Sequence, residues 1–291
     1  MRMLTTLSLV SLMVMFAAAD SPSARMDVAA WRERQEKKMR GEHSPFAVER
    51  VDPLEHDRNK IGSAADAAVK LTGEGIPADA GDIVIRDHKA ILVSRSPHLT
   101  FNGKFEKEHE IGGSDWVALG SYRLQIRRPN GGFAVRVSNL KGQAMLRYHG
   151  LKYYAEDAHY RVPAVFAAAS GKQDFTVESS QGGPQQLPFV GKLSFDLLGK
   201  PYTLDAFIDS DEPDALFVIF RDATSGKETY GVGRYLYVAR PGADGKTTID
   251  FNKSFNPLCA YGSPFFCPIP PKQNHLPIAI PVGEKPYEEH H

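Results

Sequence analysis

The apolar and polar positions of this chain follow two different periods. Over residues 24–41, Val28, Trp31, Gln35 and Met39 fall near one stripe, and Arg, Glu and Lys fill the remaining positions. That spacing predicts an amphipathic helix. Ser23 or Asp27 can cap it, Gly41 can end it, and Ser44-Pro45 stops any continuation. The Trp31 side is expected to pack on a larger body. Residues 45–80 show no clear period, and the Ala-rich stretch 62–70 reads as a short helix or a loop. From Asp82 the pattern becomes that of strands. Short β-type runs occupy 83–85, 90–93 and 99–101, with Asp87-His88 and Asn102-Gly103 at turn positions. Residues 116–126 form a longer strand candidate in which Trp116, Ala118, Tyr122, Leu124 and Ile126 partly alternate. Pro129-Asn130-Gly131-Gly132 is a hairpin-turn sequence, and 133–137 returns.

The second half keeps the two-residue period. Residues 193–197 alternate, Gly199-Lys200 turns, 202–208 alternate back, and Asp211-Glu-Pro-Asp214 turns again. Residues 216–220 are continuously apolar, so that strand is expected to be buried on both faces. A loop at 222–227 leads to a strand at 230–238. A hairpin loop at 241–245 then sends 247–251 back beside it. Strands at this spacing without intervening helices indicate an antiparallel barrel or sandwich. The fold class is therefore all-β: an N-terminal helix, a small antiparallel β-sandwich, then a C-terminal antiparallel β-barrel or sandwich with an extended Pro-rich tail. The expected divisions are a signal peptide at 1–19, a helix and irregular segment at 20–80, the sandwich at 81–140 and the C-terminal β-domain at 141–291.

Charge narrows the partners. The 291 residues carry 35 basic and 35 acidic side chains. A duplex nucleic-acid binder carries a basic excess to neutralise phosphates, so nucleic acid is not an expected partner. No polybasic tail is present to hold a membrane surface electrostatically. The first nineteen residues read as a secretory signal. Arg2 is their one charge, 4–16 are apolar but for Thr and Ser, and Ala17-Ala18-Ala19 supplies small residues for cleavage before Asp20. The apolar run is shorter than the roughly twenty residues of a membrane span, and no cysteine follows it as a lipid anchor. The expectation is an exported protein, periplasmic or extracellular, with no membrane span after signal removal.

Export gives the two cysteines a meaning. Cys259 and Cys267 bracket Ala-Tyr-Gly-Ser-Pro-Phe-Phe. In an oxidising compartment their simplest state is a disulfide. Free thiols and a metal site are the alternatives, the latter short of ligands because only His275 lies nearby. His88, His98 and His109 read either as turn histidines or as a convergent metal site, and the former is the simpler reading. Other motifs fail on spacing. Thr224-Ser225-Gly226-Lys227 has no glycine five residues before Gly226, and Glu228 replaces the required Ser or Thr. Gly231-Val-Gly233 lacks the third glycine and opens a strand. No zinc helix or nucleophile elbow is present, and no motif calls for a cofactor.

The most unusual stretch is C-terminal. It holds Thr224-Ser225-Gly226, Thr229-Tyr230, Gly233-Arg234-Tyr235-Leu236, Asp250-Phe251-Asn252, Asn256-Pro257 and Cys259. Cys267-Pro268, Pro270-Pro271, Asn274, Leu276 and Gly283-Glu284-Lys285 follow. In this order and spacing the chain resembles the uncharacterised family numbered 1684 among the domains of unknown function. Upstream, Arg136-Val137, the run from Gly150 to Tyr154, Tyr160-Arg161-Val162, and Trp31-Arg32 with Arg34 also fit. The family tends to have Asp where this chain has Asn139, and a Ser-Pro-x-Arg run where it has 141–145. Its apolar Gly- and Trp-bearing segment is replaced by 44–63. The resemblance implies no biochemistry.

Two readings of the stretch remain open. As scaffold, the prolines force an extended path over a sheet, Asn252, Asn256 and Asn274 satisfy backbone groups, and Arg234 pairs with Asp250 or Glu284. As a site, Arg234 holds an anionic group through its planar fork, and Asp222, Asp250 and Glu284 are candidate acids or bases. Tyr230 and Tyr235 are then walls, and the three asparagines orient a small polar or anionic ligand. Three functions follow: a non-catalytic β-domain of the cell envelope binding such a ligand, a hydrolase-like enzyme using a carboxylate pair with Arg234, or a structural envelope protein without a small-molecule site. Burial and mutual satisfaction of these groups favours the last. Catalysis needs two of the carboxylates in one cavity.

Overall fold

A computed structural model describes residues 22–287 except 114, 129–131, 211 and 263–264. The signal-peptide segment and most of the Pro129-Asn130-Gly131-Gly132 turn therefore lie outside the described residues. The chain is mostly β, with an N-terminal helix and a nearly closed, barrel-like C-terminal antiparallel sheet.

Helix α1 (Pro22–Arg40) buries Val28 and Met39, and its Trp31 ring meets Tyr153 edge-on at 5.8 Å. The chain then enters a sandwich of two five-stranded sheets. One runs β1 (Val48–Pro53), β10 (Ala134–Asn139), β9 (Tyr122–Arg127), β8 (Val117–Leu119) and β6 (Thr100–Phe101). The other runs β3 (Val69–Lys70), β2 (Arg58–Gly62), β4 (Gly81–Arg86), β5 (Lys89–Ser94) and β7 (Glu108–Ile111). Ile61, Ile83, Leu92, Leu124, Val135 and Val137 meet between them with almost no exposure. The runs at 83–85, 90–93 and 99–101 form strands as expected. The single strand expected over 116–126 is two, because Gly120 takes a left-handed φ of 58° and turns the chain between β8 and β9. No helix forms in 62–70; its end is β3, paired parallel to β2. Strands β1 and β2 were not read from the sequence because charges interrupt both.

After a short helix α2 (Gln143–Arg147), six strands form one antiparallel sheet in the order β15-β14-β13-β12-β11-β16. These are β11 (Arg161–Glu178), β12 (Pro184–Leu197), β13 (Lys200–Phe207), β14 (Ala215–Phe220), β15 (Arg234–Ala239) and β16 (Lys246–Asp250). β15 and β16 are consecutive in sequence yet lie at opposite ends of the strand order, so the sheet curls until its edges meet. Thr247 Oγ1 donates to Ala239 O at 2.8 Å across that seam. The expected pairing of 247–251 back onto the preceding strand is corrected: β16 takes its ladder from β11, with Arg161 opposite Asp250. Strand β14 is buried on both faces as expected. Leu216, Val218 and Phe220 point into the barrel core, while Phe217 and Ile219 point outward into a second, aromatic cluster.

The tail beyond β16 has one-turn helices at 251–253, 258–261 and 272–274, joined by extended chain. Prolines dictate that form, each fixing φ and lacking an N–H. One docking point repairs the sheet. β13 and β14 pair only at Phe207 and Phe217. Beyond that pair the Asn274 amide stands between them, accepting from Asp205 N (2.7 Å) and donating to Asp205 O (2.9 Å) and Ile219 O (2.8 Å). The side chain thus replaces the missing ladder bonds, which a buried backbone requires. Asn274→Ala should cost at least about 2 kcal/mol, since three buried backbone groups lose their partner. Urea unfolding followed by circular dichroism measures this, and a loss below about 0.5 kcal/mol would contradict it.

Candidate functional site

Arg234 begins β15 with no solvent exposure. Its Nη2 reaches Asp222 Oδ2 at 2.5 Å and Ile280 O at 2.8 Å, and its Nη1 donates to Val282 O. The ion-pair partner is thus Asp222, and neither Asp250 nor Glu284. Burial lowers the Arg234 pKa, opposed by the Asp222 carboxylate. Asp222 Oδ1 accepts from Thr224 N (2.7 Å) and Thr224 Oγ1 (2.5 Å), and Thr224 Oγ1 lies 2.9 Å from Thr229 Oγ1. The Thr-Ser-Gly-x-x-Thr segment is therefore a closed loop that holds the carboxylate aimed at Arg234. Its resemblance to a phosphate loop is one of composition.

Glu284 is also buried. It accepts from Asn256 N (3.1 Å), Asn256 Nδ2 (2.8 Å) and Tyr261 OH (2.7 Å). Burial pushes its pKa up to about 7, and these donors resist that shift. Asp250 caps the turn at 251–253 through Asn252 N at 3.2 Å, and its Oδ2 has no hydrogen-bond partner. The Asn252 amide is bound to Asp157 N and O, both at 2.9 Å. Two glycines make these contacts possible. Gly233 (φ 128°) and Gly283 (φ 85°) precede Arg234 and Glu284, and a Cβ on either would stand 2.7 Å from a carbonyl oxygen, Phe220 O or Ser254 O. The Gly-Arg and Gly-Glu pairs therefore record close backbone approach beside each buried charge.

These groups form a latch between barrel and tail. Asp222, Asp250 and Glu284 have separate partner sets, and none lines either of the two cavities described below. Tyr230 lies beside the cysteines, its hydroxyl donating to Cys259 Sγ at 3.8 Å. Cys259 and Cys267 face one another, Cys259 N donating to Cys267 Sγ at 3.2 Å, and the expected disulfide is not shown. His109 is bonded to Glu106 rather than to His88 or His98, and among the described residues no three metal-binding groups gather.

Of the candidate ligand-binding and catalytic residues, Tyr235 borders a cavity, and Cys267 and Pro268 border the same one. This cavity, about 500 Å³, lies on the outer face of β14 and β15. Phe217, Tyr235, Tyr237, Phe255, Phe265 and Phe266 form its aromatic wall. Tyr237 stacks on Phe255 at 5.4 Å and donates to Asp209 Oδ2 at 2.5 Å, while Tyr235 donates to Pro268 O at 2.7 Å. Gln185 donates to Phe266 O at 3.3 Å, but its Oε1 is buried with no partner. Sequence reasoning missed this wall. The signal was the outward alternation of Phe217, Ile219, Tyr235 and Tyr237, of which only Tyr235 was read as a wall, and that of a site around Arg234. A larger groove of about 1080 Å³ crosses β11, β12, β13 and β16 and holds none of the latch residues.

Fold and site together define an antiparallel barrel-like domain closed by a charged, Pro-rich latch. Residues 146–285 match the family model described as protein of unknown function (DUF1684), and the chain belongs to that family. An uncharacterized protein of Haloarcula marismortui, solved by solution NMR, is 39% identical over 49% of this chain and 80% of its own, with a TM-score of 0.42. The FhaA FHA domain, complexed with the intracellular domain of Rv3910, is 21% identical over 30% of this chain and 87% of its own, with a TM-score of 0.24. No curated protein matches the chain.

The latch yields two predictions. Arg234→Ala leaves Asp222 charged and unpaired in the interior, and should lower unfolding free energy by about 3–5 kcal/mol. A change below about 1 kcal/mol in urea unfolding would contradict the latch. Glu284 adds a pH dependence. Its carboxyl titrates near 4.5 when unfolded and about 7 when folded. Between those values the folded state binds more protons, so this contribution is full below pH 4.5 and is lost as pH rises to 7. The loss should be about 3 kcal/mol, and Glu284→Gln should remove that part of the slope. An unchanged slope in the variant would sink the assignment.

Proposed function

We propose that this protein is an exported, non-catalytic β-domain that binds a small, flat, largely apolar ligand carrying a hydrogen-bond donor. The observation that carries the reading is the aromatic cavity, which Gln185 borders with an amide oxygen that has no hydrogen-bond partner. A volume of about 500 Å³ is in the range of small-molecule sites, which combine apolar walls with a few fixed polar groups. Stacking against Tyr237 and Phe217 suits a planar body, and the Gln185 amide offers an acceptor to a donor. Export rests on the pattern of residues 1–19. This differs from the polar or anionic ligand expected at Arg234, because the guanidinium has no donor left facing a cavity.

The neutral fluorescent amine N-phenyl-1-naphthylamine has a planar apolar body and one N–H, and serves as the probe. It should bind one-to-one with a rise in fluorescence. Phe266 is 61% exposed, so Phe266→Ala leaves the core intact and should weaken binding at least about threefold. Gln185→Leu should weaken it through the lost acceptor. Binding that ignores both substitutions, or no saturable binding, would overturn the reading.

A further inference from the structure

We propose that Cys259 and Cys267 form a redox-active dithiol in which Cys259 is the attacking sulfur and Cys267 the resolving one. The geometry is asymmetric. Cys259 lies in the turn at 258–261, half-buried, and Cys267 in the extended chain that borders the aromatic cavity. The sulfur of Cys259 accepts from Tyr230 OH at 3.8 Å, while the Ser180 hydroxyl donates to Phe265 O at 3.2 Å. Cys267 is buried, and its sulfur accepts from Cys259 N at 3.2 Å. Cys267 N donates to Ser180 Oγ at 3.1 Å, which ties the second cysteine to the loop after β11.

The greater exposure of Cys259 and the Tyr230 hydroxyl favour the thiolate on Cys259 over the buried Cys267. The neighbouring Cys267 thiol, with the Tyr230 hydroxyl, brings the Cys259 thiol down to about 6 against the opposing effect of burial. Cys267 is pushed above the usual thiol range by its hydrogen bond to Cys259 and by burial. One sulfur is therefore charged at neutral pH and the other holds a proton beside it. A structural disulfide needs no such division, whereas thiol–disulfide exchange uses it.

The oxidant required is a small-molecule disulfide. The Cys259 thiolate attacks one of its sulfurs, the small disulfide's S–S bond breaks, and one thiolate leaves with the electron pair. Cys267 then attacks the Cys259 sulfur, its proton passing to the expelled second thiolate. Two protein thiols lose two electrons, and one small disulfide becomes two thiols.

The test uses the full chain in buffers of reduced and oxidised glutathione, with thiols counted by alkylation and mass spectrometry. Both protein thiols should disappear together as one intramolecular bridge, and excess reduced glutathione should restore them. Cys267→Ser should stop at a mixed disulfide on Cys259, while Cys259→Ser should accumulate little on Cys267. In the reduced wild type, iodoacetamide should modify Cys259 at least about tenfold faster than Cys267 at neutral pH. A bridge that never forms, a bridge that reduced glutathione cannot open, or equal capture by both single variants would overturn the proposal. These outcomes are independent of probe binding in the cavity.

Discussion

A guanidinium withdrawn from water must be surrounded by acceptors, and much of the C-terminal half is arranged around that demand. Arg234 stands, with no exposure, at the start of β15, an end strand of the sheet order. Asp222 comes from the loop after β14, and the carbonyls of Ile280 and Val282 come from the tail. The tail can supply carbonyls here because its prolines keep it extended, with C=O groups not engaged in a helix. The same segment then delivers Leu276, Ile280 and Val282 to the barrel core. Charge and apolar burial thus act on one stretch of chain, and neither works without the other.

The second buried charge fixes the other end. Glu284 draws together Asn256 and Tyr261, and the chain beside it pairs with residues 152–154 through Tyr154 N to Gly283 O at 2.9 Å and Lys285 N to Lys152 O at 2.8 Å. Phe46 packs against Tyr148, Tyr261 and Tyr287 just beyond, joining the entrance of the sandwich to the tail. The family residues therefore divide by task. Asp222, Thr224, Arg234, Asn252, Asn256, Asn274 and Glu284 hold the chain together, while Tyr235, Cys267 and Pro268 border open space.

The all-β class, the helix at the start and the two-sided burial of β14 were legible because each rests on a local period. The partner of Arg234 was not. Asp222 is twelve residues away in sequence, with a loop and a turn between, and nothing local distinguishes it from Asp250 or Glu284. The long strand β11 was also hidden, since its Ala-rich middle and Gly171 break the alternation that marks a strand. The cavity was illegible for a different reason. Outward aromatics on β14 and β15 have the same pattern as core aromatics, and only the curl of the sheet decides which face is covered. The expected export suggested a bridge between the cysteines; the turn at 258–261 brings Cys259 beside Cys267 without showing one.

The central claim is that the Pro-rich tail belongs to the cooperative core rather than lying over it. Native-state amide hydrogen exchange tests this directly. The amides of Leu276, bonded to Arg221 O, and Glu284, bonded to Ser254 O, should exchange as slowly as those in β14. Exchange of these tail amides at the rate of exposed loops, with β14 still protected, would contradict the account.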